Sequence, residues 1–369
     1  MTAMNTTPDD AATRDVAPPR VAILGIGQMG LVCAGVLAGE HGIAPSGRAS
    51  RTSRVSIWGH SEEEADRLAQ SRRSARLDGF SLPESVHVHH RDVSVIREAD
   101  LVVSAIPVQF MRAAWERLGS CVSDGAGVVS VAKGVENGTL LRPTQIIQDV
   151  LRGIGRDDPD RPARSMACLS GPTIATELAR CLPAAMVAAS DEADFARRIQ
   201  TLFTTSWLRV YTNPDVLGVE LAGATKNVIA IAAGILDGLH AGNNAKSALL
   251  ARGLAEIARL GSAMGANKET FFGIAGLGDL ATSCFSPEGR NRSCGEHLGR
   301  GGLLEEYLAA SASVVEGVST ARSVIDLAAR YRVEMPIVQA VHAVLFQAMD
   351  PIEAIGRLMT RDPQAERVG

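Results

Sequence analysis

The 369-residue sequence predicts an α/β doubly wound sheet followed by an all-α domain. Two observations carry this. Through the first half, short β-branched runs alternate with helix-like segments, the order that builds a doubly wound sheet. After Asn213-Pro214 the apolar residues recur at helical spacing, and no strand of comparable strength follows. The expected division is a disordered polar tail at 1–19, a sheet domain at 20–211 and a helical domain at 212–369.

The elements follow in order. Residues 21–24 form the first strand, and it runs directly into Gly25-Ile26-Gly27-Gln28-Met29-Gly30. Leu31, Val32, Ala34, Val36 and Leu37 then continue as a buried helix. A strand, a G-x-G-x-x-G turn and a helix together make the context in which this glycine pattern binds a dinucleotide, in a Rossmann-type sheet. Gly25 makes the tight turn, Gly27 lets a pyrophosphate approach the backbone, and Gly30 lets helix and strand pack closely. The helix N-terminus presents N–H groups to the phosphates. Further strands are expected at 55–58, 86–89, 101–106, 127–131, 167–169, 184–188 and 208–211. The segments 44–54 and 156–164 read as surface insertions. Helical runs are expected at 216–221, 228–239, 248–264 and 320–329.

Bulk properties narrow the function. Formal net charge is −4, with 46% hydrophobic, 21% charged and 4% aromatic residues. Neither a basic surface for nucleic acid nor an aromatic stacking platform is indicated. No uninterrupted apolar segment long enough to span a bilayer is expected. The first twenty residues lack the apolar core of a signal peptide, and the six cysteines include no C-x-x-C pair. A cytoplasmic protein with reduced thiols and no metal site is expected, and a homodimer is the common assembly for such an enzyme. His87-Val88-His89-His90 reads as strand alternation rather than a metal cluster.

Chemistry concentrates in Gly223-Ala224-Thr225-Lys226-Asn227, at the mouth of an apolar, small-residue run. A lysine in such a run is either snorkelling to water or held by a partner for a purpose. Lys133-Gly134 follows the fifth strand, where ligands sit in this fold. Asp279, among glycines, is a helix N-cap or a site carboxylate. Gly289-Arg290-Asn291-Arg292 suits a phosphate or is a solvated basic loop. Ser170-Gly171-Pro172-Thr173 is a tight turn or a donor loop, and Val314-Val315-Glu316-Gly317 is a helix start or a cofactor contact.

Taken together and in this order, these motifs resemble those of the NAD(P)-dependent sn-glycerol-3-phosphate dehydrogenases of bacterial type, over roughly residues 20–355. The resemblance implies reduction of dihydroxyacetone phosphate to sn-glycerol 3-phosphate with NADH or NADPH, reversibly, supplying glycerophospholipid synthesis. It implies a dinucleotide-binding sheet domain and a helical substrate domain. It implies Lys226 as general acid and base, with Lys133 and Asp279 beside it. It implies substrate contacts from Lys133, Gly171, Thr173, Lys226, Asp279, Gly289, Arg290 and Asn291. Cofactor contacts are implied for Gly25, Gly27, Gln28, Met29, Gly30, His60, Lys133, Ala175, Arg290, Val314 and Glu316.

Two departures stand out. Gln28-Met29 replaces the family's usual Ser-aromatic pair, and Ala75-Arg76-Leu77-Asp78-Gly79 lacks the usual Tyr-Leu-Pro. NAD against NADP stays open. The second strand ends Trp58-Gly59-His60 with no acid at its tip, Glu62 starts the next helix, and Arg67, Arg72 and Arg73 meet a 2′-phosphate only if their loop bends inward. A keto-acid reductase with a carboxylate site and a non-catalytic nicotinamide sensor are the rival readings.

Overall fold

The computed structural model describes residues 18–39, 53–91, 93–157, 163–311 and 313–362. The expected tail (but for Pro18 and Pro19), most of the 44–54 insertion and the middle of the 156–164 insertion lie outside the described residues.

One eight-stranded sheet organises the first half. Its strands are β1 (Arg20–Leu24), β2 (Arg54–Trp58), β3 (His87–His89), β4 (Leu101–Ser104), β5 (Gly127–Ser130), β6 (Met166–Ser170), β7 (Ala184–Ala189) and β8 (Leu208–Asn213). The spatial order is β3-β2-β1-β4-β5-β6-β7-β8. Pairing is parallel except between β6 and β7. β4, β5 and β6 are buried along their whole length, as continuous apolar strands covered on both faces must be. The covering helices are α1 (Gln28–Ala38), α2 (Glu62–Ser71), α3 (Ser94–Arg97), α4 (Val108–Leu118), α5 (Pro143–Gly153), α6 (Ala175–Ala179) and α7 (Ala193–Phe203). The order reverses between β1 and β4, and a ligand crevice opens at that switch point.

Helices follow β8: α8 (Val216–Gly238), α9 (Gly242–Met264), α10 (Asp279–Phe285), α11 (Arg290–Gly299), α12 (Leu304–Ala310), α13 (Glu316–Tyr331), α14 (Pro336–Phe346) and α15 (Pro351–Met359). The two runs expected at 216–221 and 228–239 are one helix. Gly223 and the alanines between them are buried and do not break it; a Cβ on Gly223 would lie 2.9 Å from the Ser170 hydroxyl. A Cβ on Gly234 would lie 1.9 Å from the Arg292 carbonyl oxygen, and one on Gly295 would lie 1.9 Å from that of Ile231. α8 and α11 therefore cross at backbone contact.

α8 is long and apolar enough to cross a membrane by length and composition only, and 89% of its apolar window is buried inside the protein, as in a core helix. One expectation is corrected here. Arg164, at the end of the supposed surface insertion, is buried. Its guanidinium donates to the carbonyls of Ser123 and Ala126 and pairs with Asp157, so it ties this segment to the start of β5.

Substituting Gly295→Ala should destabilise the protein. A methyl group gains about 1 kcal/mol of helix propensity but is forced into a backbone carbonyl, and overpacking of this kind costs about 1–3 kcal/mol or more. A lower midpoint of urea unfolding is the expected result; an unchanged or higher midpoint would mean that α11 can step away from α8 freely.

Candidate active site

A cleft of about 630 Å³ runs from the glycine turn after β1 to the start of α11. Its first wall is the turn itself. Gly25 has φ +116°, and a Cβ there would lie 2.7 Å from the Ala105 carbonyl oxygen. A Cβ on Gly30 would overlap the Gly25 carbonyl oxygen, so Gly30 packs the helix from behind and does not line the cleft. Gly27 differs: a Cβ would meet nothing within 4 Å, because the residue faces open cleft at the N-terminus of α1. Bare backbone facing open space above a helix N-terminus fits the pyrophosphate of a dinucleotide. Gln28, Met29, His60 and Ala175 continue this wall.

The far end carries the charge. Lys226 lies within α8, one turn along from Ala222, and is 6% exposed. It does not snorkel. Its Nζ lies 2.9 Å from Asp279 Oδ1 and donates to Ser283 Oγ at 2.6 Å. Lys133, just beyond β5, donates to Asp279 Oδ2 at 2.5 Å, to the Gly171 carbonyl at 2.8 Å and to Thr173 Oγ1 at 3.3 Å. Asp279 is 2% exposed and sits at the head of α10, but it does not cap that helix; it bridges the two ammoniums. A buried carboxylate between two buried cations offsets a desolvation cost that neither lysine could bear alone. Burial, and the neighbouring Lys226 charge, push the Lys133 ammonium down to about 8 against the pull of Asp279.

In the loop at Ser170–Thr173, the Gly171 carbonyl and the Thr173 hydroxyl accept from Lys133, and Thr173 lines the cleft. Gly171 does not line the cleft; its carbonyl orients the lysine. Gly289, Arg290 and Asn291 do line it, at the N-terminus of α11, where no side chain caps the helix. Asn291 Oδ1 accepts from the Gly317 N–H at 2.9 Å, which leaves its amide NH2 as a donor. Arg290 donates to the Val314 carbonyl at 3.3 Å. Val314 and Glu316 close the cleft, and burial raises the Glu316 carboxyl against Arg290 and both lysines.

Several lining residues escaped the sequence reading: Ser283, Phe110, Arg117, Glu64 and Arg76. Ser283 had a usable signal, since it lies one helical turn after Asp279 on the same face of α10. Of the arginines weighed for the cofactor, Arg67, Arg72 and Arg73 do not line the cleft, and Arg76 does. Arg67 pairs with Glu63, and Arg72 is held by Glu84 and the Val86 carbonyl. Among the described residues no group of three or more His, Cys, Asp or Glu is placed to hold a metal ion. All six cysteines are free thiols.

A doubly wound sheet with a glycine turn at its switch point, followed by a helical region that supplies a lysine–carboxylate centre, defines a nicotinamide-dependent dehydrogenase. The sequence pattern described as NAD-dependent glycerol-3-phosphate dehydrogenase N-terminus matches residues 20–196, and its C-terminal counterpart matches 215–356. The chain belongs to the NAD(P)-dependent glycerol-3-phosphate dehydrogenase family. Glycerol-3-phosphate dehydrogenase (NAD(P)+) 1 of Salinibacter ruber is 44% identical over 89% of this chain and 95% of its own length. The enzyme numbered 2 of Mycobacterium tuberculosis is 41% identical over 94% of this chain and 98% of its own. The crystal structure of glycerol-3-phosphate dehydrogenase from Coxiella burnetii matches with a TM-score of 0.84 at 31% identity, covering 94% of this chain and all of that one.

The Lys133 environment sets a pH limit. Its ordinary value is 10.5, and the folded protein holds it near 8. Between these values the unfolded chain binds more protons than the folded one, so this group's contribution to stability rises with pH there. The positive charge in the site is lost over the same range. The rate of ketone reduction, as kcat/KM, should therefore fall above about pH 8. In Lys133→Arg, whose guanidinium stays charged, the residual activity should lose that limb; an unshifted limb would assign it to another group.

Proposed function

We propose that this enzyme interconverts dihydroxyacetone phosphate and sn-glycerol 3-phosphate, supplying glycerophospholipid synthesis, with Lys226 as general acid in reduction and general base in oxidation. A bound nicotinamide supplies or accepts the hydride at C2. The residues of this chain supply charge, a proton and orientation.

One observation carries the assignment of the two lysines. An ammonium has three N–H donors. Lys133 commits three hydrogen bonds, to Gly171, Thr173 and Asp279. Lys226 donates one hydrogen bond, to Ser283, and is ion-paired with Asp279 at 2.9 Å, so it commits fewer donors than Lys133 while lining the cleft. Lys226 is thus the lysine able to hydrogen-bond the ketone oxygen and pass it a proton, while Lys133 contributes a fixed positive charge. Asp279 holds both in place. The substrate phosphate fits the N-terminus of α11, with its free N–H groups, the Asn291 amide and the Arg290 guanidinium. That remote binding would orient the ketone under Lys226.

Lys226→Ala should lower turnover by about 10²–10⁴-fold or more, while NADH affinity stays near wild type, because the side chain touches substrate and not cofactor. Steady-state rates and fluorescence titration check both parts. A variant that keeps more than about a tenth of the wild-type rate would remove Lys226 from the chemistry.

Arg290→Ala separates this reading from a keto-acid reductase. The ratio of kcat/KM for dihydroxyacetone phosphate to that for dihydroxyacetone should collapse, by about tenfold or more for the loss of a charge-assisted contact. NADH affinity is measured on the same variant, since Arg290 also reaches the Val314 side of the cleft. An unchanged ratio would move the phosphate elsewhere.

A further inference from the structure

The end of the cleft opposite the lysines has a construction of its own, built from the positions where this chain departs from the usual motifs. Gln28, the first residue of α1, donates from Nε2 to the Arg76 carbonyl at 2.7 Å, across 48 residues of sequence. The residue after the glycine turn thus clamps the Arg76 backbone at the rim of the cleft. The Arg76 guanidinium then pairs with Glu64, in the first turn of α2, at 2.6 Å. His60 and Ser61, at the tip of β2, line the same wall, and Arg117 lies over the Trp58 ring at 5.3 Å.

Charge decides what this wall accepts. A sheet of this kind selects NAD by a carboxylate at the β2 tip that accepts from the ribose hydroxyls. Here the acid nearest the tip, Glu62, is drawn outward by Arg91 and His90 and does not line the cleft. Glu64 is the carboxylate of this wall, and Arg76 neutralises it. Arg76 and Arg117, with His60 and the Ser61 hydroxyl, leave the wall short of negative charge. A guanidinium has five N–H donors in a planar fork, so Glu64 and a phosphate can share Arg76.

From this geometry we infer that the enzyme selects NADP(H) over NAD(H), and that Arg76 is the residue that recognises the 2′-phosphate. The inference rests on the dehydrogenase reading only for the presence of a dinucleotide, not for the substrate. Arg76 is half-buried at the rim, on a turn held by backbone contacts, so its side chain can be replaced without opening the core.

The test is direct binding to the purified protein. Calorimetric titrations with NADPH, NADH, 2′,5′-ADP and 5′-AMP are run at low and high salt on wild type, Arg76→Ala and Arg76→Lys. Wild type should bind NADPH at least about tenfold more tightly than NADH, and 2′,5′-ADP more tightly than 5′-AMP, as expected for charge-assisted contacts to one phosphate. The preference should shrink as salt screens the exposed charge. Arg76→Ala should weaken NADPH and 2′,5′-ADP by about 10–100-fold and leave NADH and 5′-AMP within about threefold, with Arg76→Lys between. Unchanged 5′-AMP affinity also reports that the variant's cleft is intact. Equal affinity of wild type for the two dinucleotides, tighter NADH, or an equal loss for both in Arg76→Ala overturns the selectivity and leaves the dehydrogenase reading standing. Failure of both dinucleotides to bind wild type would overturn the two together.

Discussion

A buried carboxylate shared by two buried ammoniums is the constraint on which the site depends. Asp279 comes from the helical half and Lys133 from the sheet half, 146 residues apart in sequence, and their ion pair is 2.5 Å long. Lys226 joins from α8. Removing the carboxylate would leave two like charges close together in a poorly solvated place, where repulsion is strong and compensation by water is weak. The three groups are therefore present together or not at all. The same arrangement spans the junction of the two halves: the sheet half holds the glycine-turn end of the cleft, and the carboxylate ties both lysines to it.

Close packing of α8 on α11 does the corresponding work for the Arg290 end of the cleft. Gly234, Gly238, Gly295 and Gly299 carry no Cβ where the helices approach most closely, so backbone meets backbone there. The N-terminus of α11, with Arg290 and Asn291, is thereby brought beside Lys226 and Asn227 on α8. The small-residue composition of α8, which lowers helix propensity at each glycine by about 1 kcal/mol, is explained by this approach rather than by a loop. Behind the crossing, Arg292 and Lys246 both pair with Asp237, which ties α11, α9 and α8 together with charge as well as shape.

Much of this was legible in the chain, and the limits have a physical cause. The expected strands all form; β4, β5 and β6 read as uninterrupted apolar segments because they are buried throughout, whereas β3 and β8 are partly exposed and less regular in sequence. The glycine turn announced itself because its three glycines, strand and helix are all local. What local pattern could not show is pairing through space. The runs at 216–221 and 228–239 join into the single helix α8 once the partners of Lys226 are placed around it. Arg67, Arg72 and Arg73 were weighed for the cofactor, and Arg76 was not. Gln28, 48 residues distant, holds the Arg76 carbonyl at the cleft, and Glu84 draws Arg72 away from it, pairings that no local pattern displays. Asp279 on its own reads as a helix cap, since a glycine-flanked Asp at a helix start has one sequence signature for both roles.

The groups that surround the lysines narrow the chemistry further. Burial drives the Cys284 thiol up to about 12, so it is neither a nucleophile nor a proton carrier near neutrality. The Glu316 carboxyl is raised as well, which weakens it as a competing negative charge in the cleft. Two ammoniums and the Arg290 guanidinium then outweigh the fixed charge of Asp279. A cleft with that imbalance, closed at one end by a helix N-terminus, is complementary to a small dianion and to an oxygen on which negative charge develops. A neutral triose lacks the first of these matches and a carboxylate substrate carries only half its charge. The phosphate of the substrate would thus complete the electrostatics of the site, and would not serve merely as a handle for binding.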